Sequence, residues 1–109
     1  MPQEPTTYRT FWPYYLNEHR KPATRRLHFL GTGLGLALLA LLALTGAWWL
    51  SVAALVSGYA FAWAGHFFVE KNRPATFRFP LWSLYSDFRM FALAVTGRLQ
   101  AELRRYGVE

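Results

Sequence analysis

Three histidines and one glutamate carry most of the chemistry open to this sequence. The chain has no cysteine, which excludes disulfides, thiolate nucleophiles and Cys-ligated zinc. His19, His28 and His66 remain, with Glu70 four residues after His66 and so on the same face of a helix. Neutral imidazoles with one carboxylate and open positions form the donor set of a non-haem iron site, although the same donors also take zinc or manganese. A matched pair of histidines on neighbouring helices could instead hold a haem by its two axial positions. Other constellations fail. Gly31, Gly33 and Gly35 lie in an apolar run without a P-loop lysine, and Ser51, Ser57, Ser83 and Ser86 lack a nucleophile-elbow motif.

The elements that must position these groups follow from one stretch. Leu27 to Val69 contains no Asp, Glu, Lys or Arg over 43 residues. As helix this is roughly 65 Å, about twice what one bilayer crossing needs. Thr45-Gly46-Ala47 is its one internal turn signal, so the expectation is two crossings, 25–44 and 48–70, with Trp48 and Trp49 in the far interfacial belt. Ala47 is 19 residues from His28 and 19 from His66, which places both imidazoles at one depth of an antiparallel hairpin. Gly31, Thr32, Gly33 and Gly35 give the first crossing a small face that a second helix or an acyl chain can approach.

Charge supplies the orientation. Arg20, Lys21, Arg25 and Arg26 precede the apolar run and Lys71, Arg73 and Arg78 follow it, the pattern of a hairpin with both termini cytoplasmic. The net charge of +6 then suits an anionic lipid surface, and no nucleic-acid partner is expected. The mean hydropathy of +0.08 hides this division because it averages an apolar middle with two basic, aromatic ends.

The flanks read as accessory. Residues 1–7 are expected to be disordered, and 13–18 to form a short interfacial helix with Pro13 in its first turn and Trp12, Tyr14 and Tyr15 at headgroup level. Thr24 is the expected cap of the first crossing. Over 81–106, apolar residues at three- and four-residue spacing predict one amphipathic helix. The predicted fold is a single all-α integral membrane domain, 1–109, built on a two-helix transmembrane hairpin. A non-catalytic hairpin that scaffolds a partner or binds lipid is the competing reading.

Three blocks carry a resemblance: His19-x2-Pro22-x2-Arg25-x2-His28-x2-Gly31, then Gly65-His66-x3-Glu70-Lys71-Asn72-x-Pro74-Ala75-Thr76-Phe77, then Pro80-x2-Ser83-Leu84-x2-Asp87-Phe88-x-Met90. Over about residues 14–106 the chain resembles small membrane proteins related to the fungal 2-hydroxy fatty acid dioxygenase of phytosphingosine metabolism. The resemblance implies an Fe(2+)-dependent dioxygenase that uses O2 to shorten a 2-hydroxy fatty acid by one carbon, with His19, His28 and His66 as ligands. Glu70 stands in the matching motif, as a ligand or as a group behind one. A fatty acid lying in the bilayer would present its carboxylate near Arg25, Arg26, Lys71 and Arg73. Asn72 and Asp87 are candidates to orient ligand imidazoles. The chain is shorter than the fungal enzymes, which leaves room for a homo-oligomer in which a second copy completes the pocket.

Overall fold

The structure, a computed structural model, describes residues 4–108, and every regular element among them is helical. Helix α1 spans Tyr8–Asn17, α2 Pro22–Thr45 and α3 Trp49–Ala64; α3 runs on into a π-helical turn, Gly65–Glu70. A 3-10 turn at Ala75–Phe77 leads to α4, Pro80–Val95, and α5, Leu99–Arg105.

Helices α2 and α3 pack along most of their length because glycine lets their backbones meet. A Cβ on Gly31 would lie 2.9 Å from the Gly58 carbonyl oxygen and 2.9 Å from the Phe61 Cβ. One on Gly35 would lie 3.3 Å from the Ala54 carbonyl oxygen, and one on Gly65 3.2 Å from the Thr24 Cγ2. The pairs 24/65, 31/58 and 35/54 run in opposite directions, so the helices are antiparallel. Gly46 makes the turn with φ +71°, a left-handed conformation that glycine adopts without strain. Pro22–Thr45 and Trp49–Glu70 are each long and apolar enough to cross a membrane, by length and composition.

The flanking elements differ from expectation. Helix α1 begins at Tyr8 rather than Pro13, fixed by a capping box between Thr7 and Thr10. Pro13 is internal, and the helix holds because Phe11, Trp12, Tyr15 and Leu16 are all buried in the protein. Trp12 and Tyr15 are therefore core residues, whereas Tyr14 is only partly buried. Of the segment expected to be disordered, residues 1–3 lie outside the described residues. Pro5 is buried and Glu4 pairs with Arg78. Lys21, not Thr24, caps α2, with Pro22 at its first position; Thr24 sits inside the helix, its hydroxyl buried and unpartnered.

The predicted amphipathic helix is two helices. Gly97 turns left-handed at φ +74°, the Arg98 N–H donates to the Leu93 carbonyl at 2.8 Å, and the Thr96 hydroxyl donates to the Ala92 carbonyl at 2.8 Å. The break returns α5 to the body of the protein, where Leu99, Leu103 and Val108 join Phe11, Trp12, Leu16 and Met90 in one buried cluster. The Trp12 indole N–H donates to Glu102 Oε1 at 2.8 Å, and the Arg89 guanidinium lies 4.1 Å from the centre of the Trp12 ring. This core backs the end of the α2–α3 pair where the histidines lie.

Candidate metal centre

His19 comes from the α1–α2 connection, His28 from the second turn of α2 and His66 from the π turn that ends α3. All three are buried, with 1%, 4% and 2% of their surfaces exposed. His19 Nε2 lies 2.9 Å from His28 Nε2, which lies 3.2 Å from His66 Nε2. One ligand atom from each falls within 4.8 Å of the others, and among the described residues no carboxylate joins the group.

Equal counts from the turn do not account for this convergence on their own. The contacts set Thr24 against Gly65 and Gly31 against Gly58, so His28 and His66 are offset along the paired axes. Side chains of a helix lean toward its N-terminus. In an antiparallel pair the His28 ring leans toward the loop end and the His66 ring away from it, which closes the offset. The π turn then sets the angle of His66, with the N–H groups of Lys71 and Asn72 both reaching the His66 carbonyl.

The outer ring nitrogens determine what the inner ones can do. His19 Nδ1 is 2.7 Å from the Tyr15 carbonyl oxygen, an acceptor only, so this nitrogen carries the proton. His66 Nδ1 is 2.8 Å from Asn72 Oδ1, assigned as oxygen because Asn72 Nδ2 donates to the Glu18 carbonyl at 3.0 Å and to Glu18 Oε2 at 3.2 Å. His28 Nδ1 faces Asp87 Oδ1 at 3.6 Å. His19 and His66 therefore each turn a bare Nε2 lone pair toward the His28 Nε2 between them, at 2.9 and 3.2 Å, and all three nitrogens face one cation when His28 carries its proton on Nδ1, toward Asp87. Two nitrogens bound to one ion at about 2.1 Å, roughly 90–110° apart, lie about 3.0–3.4 Å from each other. The donor set fits a single small ion. It does not suit a haem, whose axial imidazoles must stand on opposite sides of a porphyrin.

Burial, reinforced by the neighbouring His28 and His66, holds the His19 pKa well below its ordinary value, in keeping with a neutral ligand. The Tyr15 hydroxyl donates to Asp87, and burial followed by the Asp87 charge pushes the Tyr15 pKa well above 10. Burial raises the Asp87 pKa to about 7, against the opposing effect of the Tyr15 hydrogen bond.

Not every predicted residue reaches the histidines. Glu70 accepts a hydrogen bond from the Lys21 backbone N–H, which ties the end of the π turn to the start of α2, so its carboxylate is not with the three imidazoles. Arg25 is buried and its Nη1 donates to the carbonyls of His19 and Arg20, both at 2.8 Å, so its guanidinium braces the loop that carries His19. Arg26, Lys71 and Arg73 are exposed and line neither cavity at the histidines. Asn72 and Asp87 stand behind His66 and His28 at the distances given above. Two neighbours were not singled out from the sequence as site residues. Tyr15 supplies the carbonyl behind His19, and Ser83 lines a small cavity with all three histidines, its hydroxyl buried and without a partner. The i, i+4 spacing of Ser83 and Asp87 was the available signal.

A second, larger cavity of about 180 Å³ begins at His28 and Asp87 and follows the seam between α2 and α3.

The protein-family model described as 2-hydroxy-palmitic acid dioxygenase Mpo1-like matches residues 5–99, which takes in all three histidines, both cavities and α4. The chain belongs to the Mpo1-like family. No curated protein and no solved structure matches it. In this Mpo1-like chain the matched region ends at Leu99, the first residue of α5, so the family region contains every residue that faces the histidine cluster.

Proposed function

We propose that this protein is a membrane-embedded, iron(II)-dependent dioxygenase that shortens 2-hydroxy fatty acids by one carbon. In this reading α2 and α3 form a transmembrane hairpin with both termini cytoplasmic, and His19, His28 and His66 hold the metal at its cytoplasmic rim. The observation that carries the proposal is the convergence of three buried Nε2 atoms, with His19 and His66 held through the other ring nitrogen by Tyr15 and Asn72 and with His28 facing Asp87. The family description supplies the reaction class and the type of acid. Membership of the family, the apolar cavity beginning at the cluster and the length of the two helices support the same reading.

His19, His28 and His66 would hold the iron(II), which would supply O2 activation and Lewis-acid binding of the acid headgroup. The protein's own groups do the positioning. Tyr15, Asn72 and Asp87 fix the ring orientations, and Arg25 holds the loop of His19. The Ser83 hydroxyl, unpartnered beside the cluster, can donate to the acid headgroup. Burial of the three imidazoles excludes bulk water from the bond that breaks.

The test is anaerobic loading of detergent-purified protein with iron(II), followed by metal analysis and by measurement of O2 uptake and the one-carbon-shorter acid. We expect about one iron per chain, and loss of both metal and product in His28→Ala and His66→Ala. Full activity in either variant overturns the proposal.

A further inference from the structure

The larger cavity has a shape and composition that narrow what it holds. Its lining takes one face of α2 from His28 to Leu39 and one face of α3 from Ala62 back to Ser51, with α4 covering only the histidine end through Leu84, Asp87 and Phe88. At a rise of about 1.5 Å per residue, His28 to Leu39 spans about 16 Å, the length of an extended chain of about a dozen methylenes. Polar groups concentrate where the groove meets the candidate metal centre, and beyond Gly31 the α2 wall is almost wholly apolar. Gly58 lies on the floor, and a Cβ built there meets nothing within 4 Å. The α2–α3 backbones are in near contact at Gly31 and Gly35, so the groove is space left by missing side chains rather than by separated helices.

We propose that this groove is the alkyl-chain site of the 2-hydroxy acid substrate, with the acid at the histidines, the chain along the α2–α3 seam, and the Leu39–Ser51 end setting the longest chain accepted. The proposal rests on the dioxygenase reading for the identity of the headgroup. The groove itself argues for the chain: it is about as long as the tail of a sixteen-carbon acid, apolar along that length, and continuous at one end with the three imidazoles. Its lips, Leu55 at 60% exposure and Phe88 at 44%, face outward, so a chain can enter sideways from the surrounding hydrocarbon.

The test uses 2-hydroxyhexadecanoic acid carrying a diazirine at its terminal carbon, photolysed with detergent-purified protein that has not been loaded with metal. Cross-linked residues are mapped by tandem mass spectrometry. We expect label on Leu39, Ser51 and Leu55, displaced by unlabelled 2-hydroxyhexadecanoic acid and not by an equal concentration of phosphatidylcholine. Gly58→Leu should cut the label at least tenfold, whereas Gly33→Ala, whose added methyl would lie 3.8 Å from Phe91 and outside the groove, should leave it unchanged. With the iron-loaded enzyme, Ser51→Phe should lower turnover of the sixteen-carbon acid at least fivefold while sparing 2-hydroxyoctanoic acid. Label that phosphatidylcholine displaces equally, or that persists in Gly58→Leu, assigns the groove to bilayer lipid and overturns the proposal. Because labelling needs neither metal nor turnover, failure of the dioxygenase reading would leave the label in place. Failure of the groove would leave the iron content in place.

Discussion

The two ends of the α2–α3 pair obey opposite rules. At the loop end the buried residues include His19, Thr24, Arg25, His28 and His66, polar groups enclosed by protein. At the turn end most apolar side chains face outward, with Leu44 at 83% exposure and Trp48 at 75%; no residue of α2 beyond Gly35 is buried, and on α3 Leu50 and Ala54 are the buried ones. In water the second pattern is costly, because exposed apolar surface on this scale is favourable only against another apolar phase. The comparison assigns different solvents to the two ends. In the proposed hairpin lipid would surround the turn end, while the rest of the protein serves as solvent for the histidine end.

If that contrast is right, truncations at the two ends should have effects set by what surrounds each side chain. The largest is expected at Trp12→Ala, which empties a fully enclosed site and removes the hydrogen bond to Glu102, at a cost of about 3–5 kcal/mol in unfolding measured in detergent. Next, Asn72→Ala removes the acceptor behind His66 Nδ1 and the link to Glu18; metal titration should show affinity lower by about 10–100-fold. The smallest belongs to Val52→Ala at the turn end. Its side chain is about half exposed, and the change should stay within about 0.5 kcal/mol. A Val52→Ala cost of about 2 kcal/mol, the scale of a buried valine, would show that the turn end is packed against protein after all, and would erase the distinction.

How much of this was legible before the fold is best judged residue by residue. The charge-free run Leu27–Val69 already implied two long helices, since at about 1.5 Å per residue it is about twice one bilayer crossing and Gly46 marks its one turn. The meeting of His28 and His66 was legible from their equal distance to the turn, although the actual register differs and side-chain tilt makes up the difference. Glu70 was misplaced by the same kind of count. Four residues make about one turn of an α-helix but fall short of one in the π turn, so its carboxylate swings to Lys21. Helix α1 was illegible in a different way: Trp12 and Tyr15 suit an interface and a core equally well, and only the return of α5 at Gly97 decides between them. Arg25 looked like a substrate donor because charge near a membrane rim suggests an anion, yet its guanidinium is spent on two carbonyls of its own loop.

The depth at which the three imidazoles lie has a kinetic meaning. With no more than 4% of any of them open to the outside, an ion would reach the Nε2 atoms only when the His19 loop lifts. That loop is stitched to the π turn by Asn72 and by Glu70, through the Glu18 carbonyl and the Lys21 N–H. If the site holds iron as proposed, metal exchange would be gated by local opening, and a chelator added from water should strip the site at a rate independent of chelator concentration. On the same reading, an alkyl chain lodged in the groove beside His28 should slow that rate further, the tail retaining the ion that its headgroup would use.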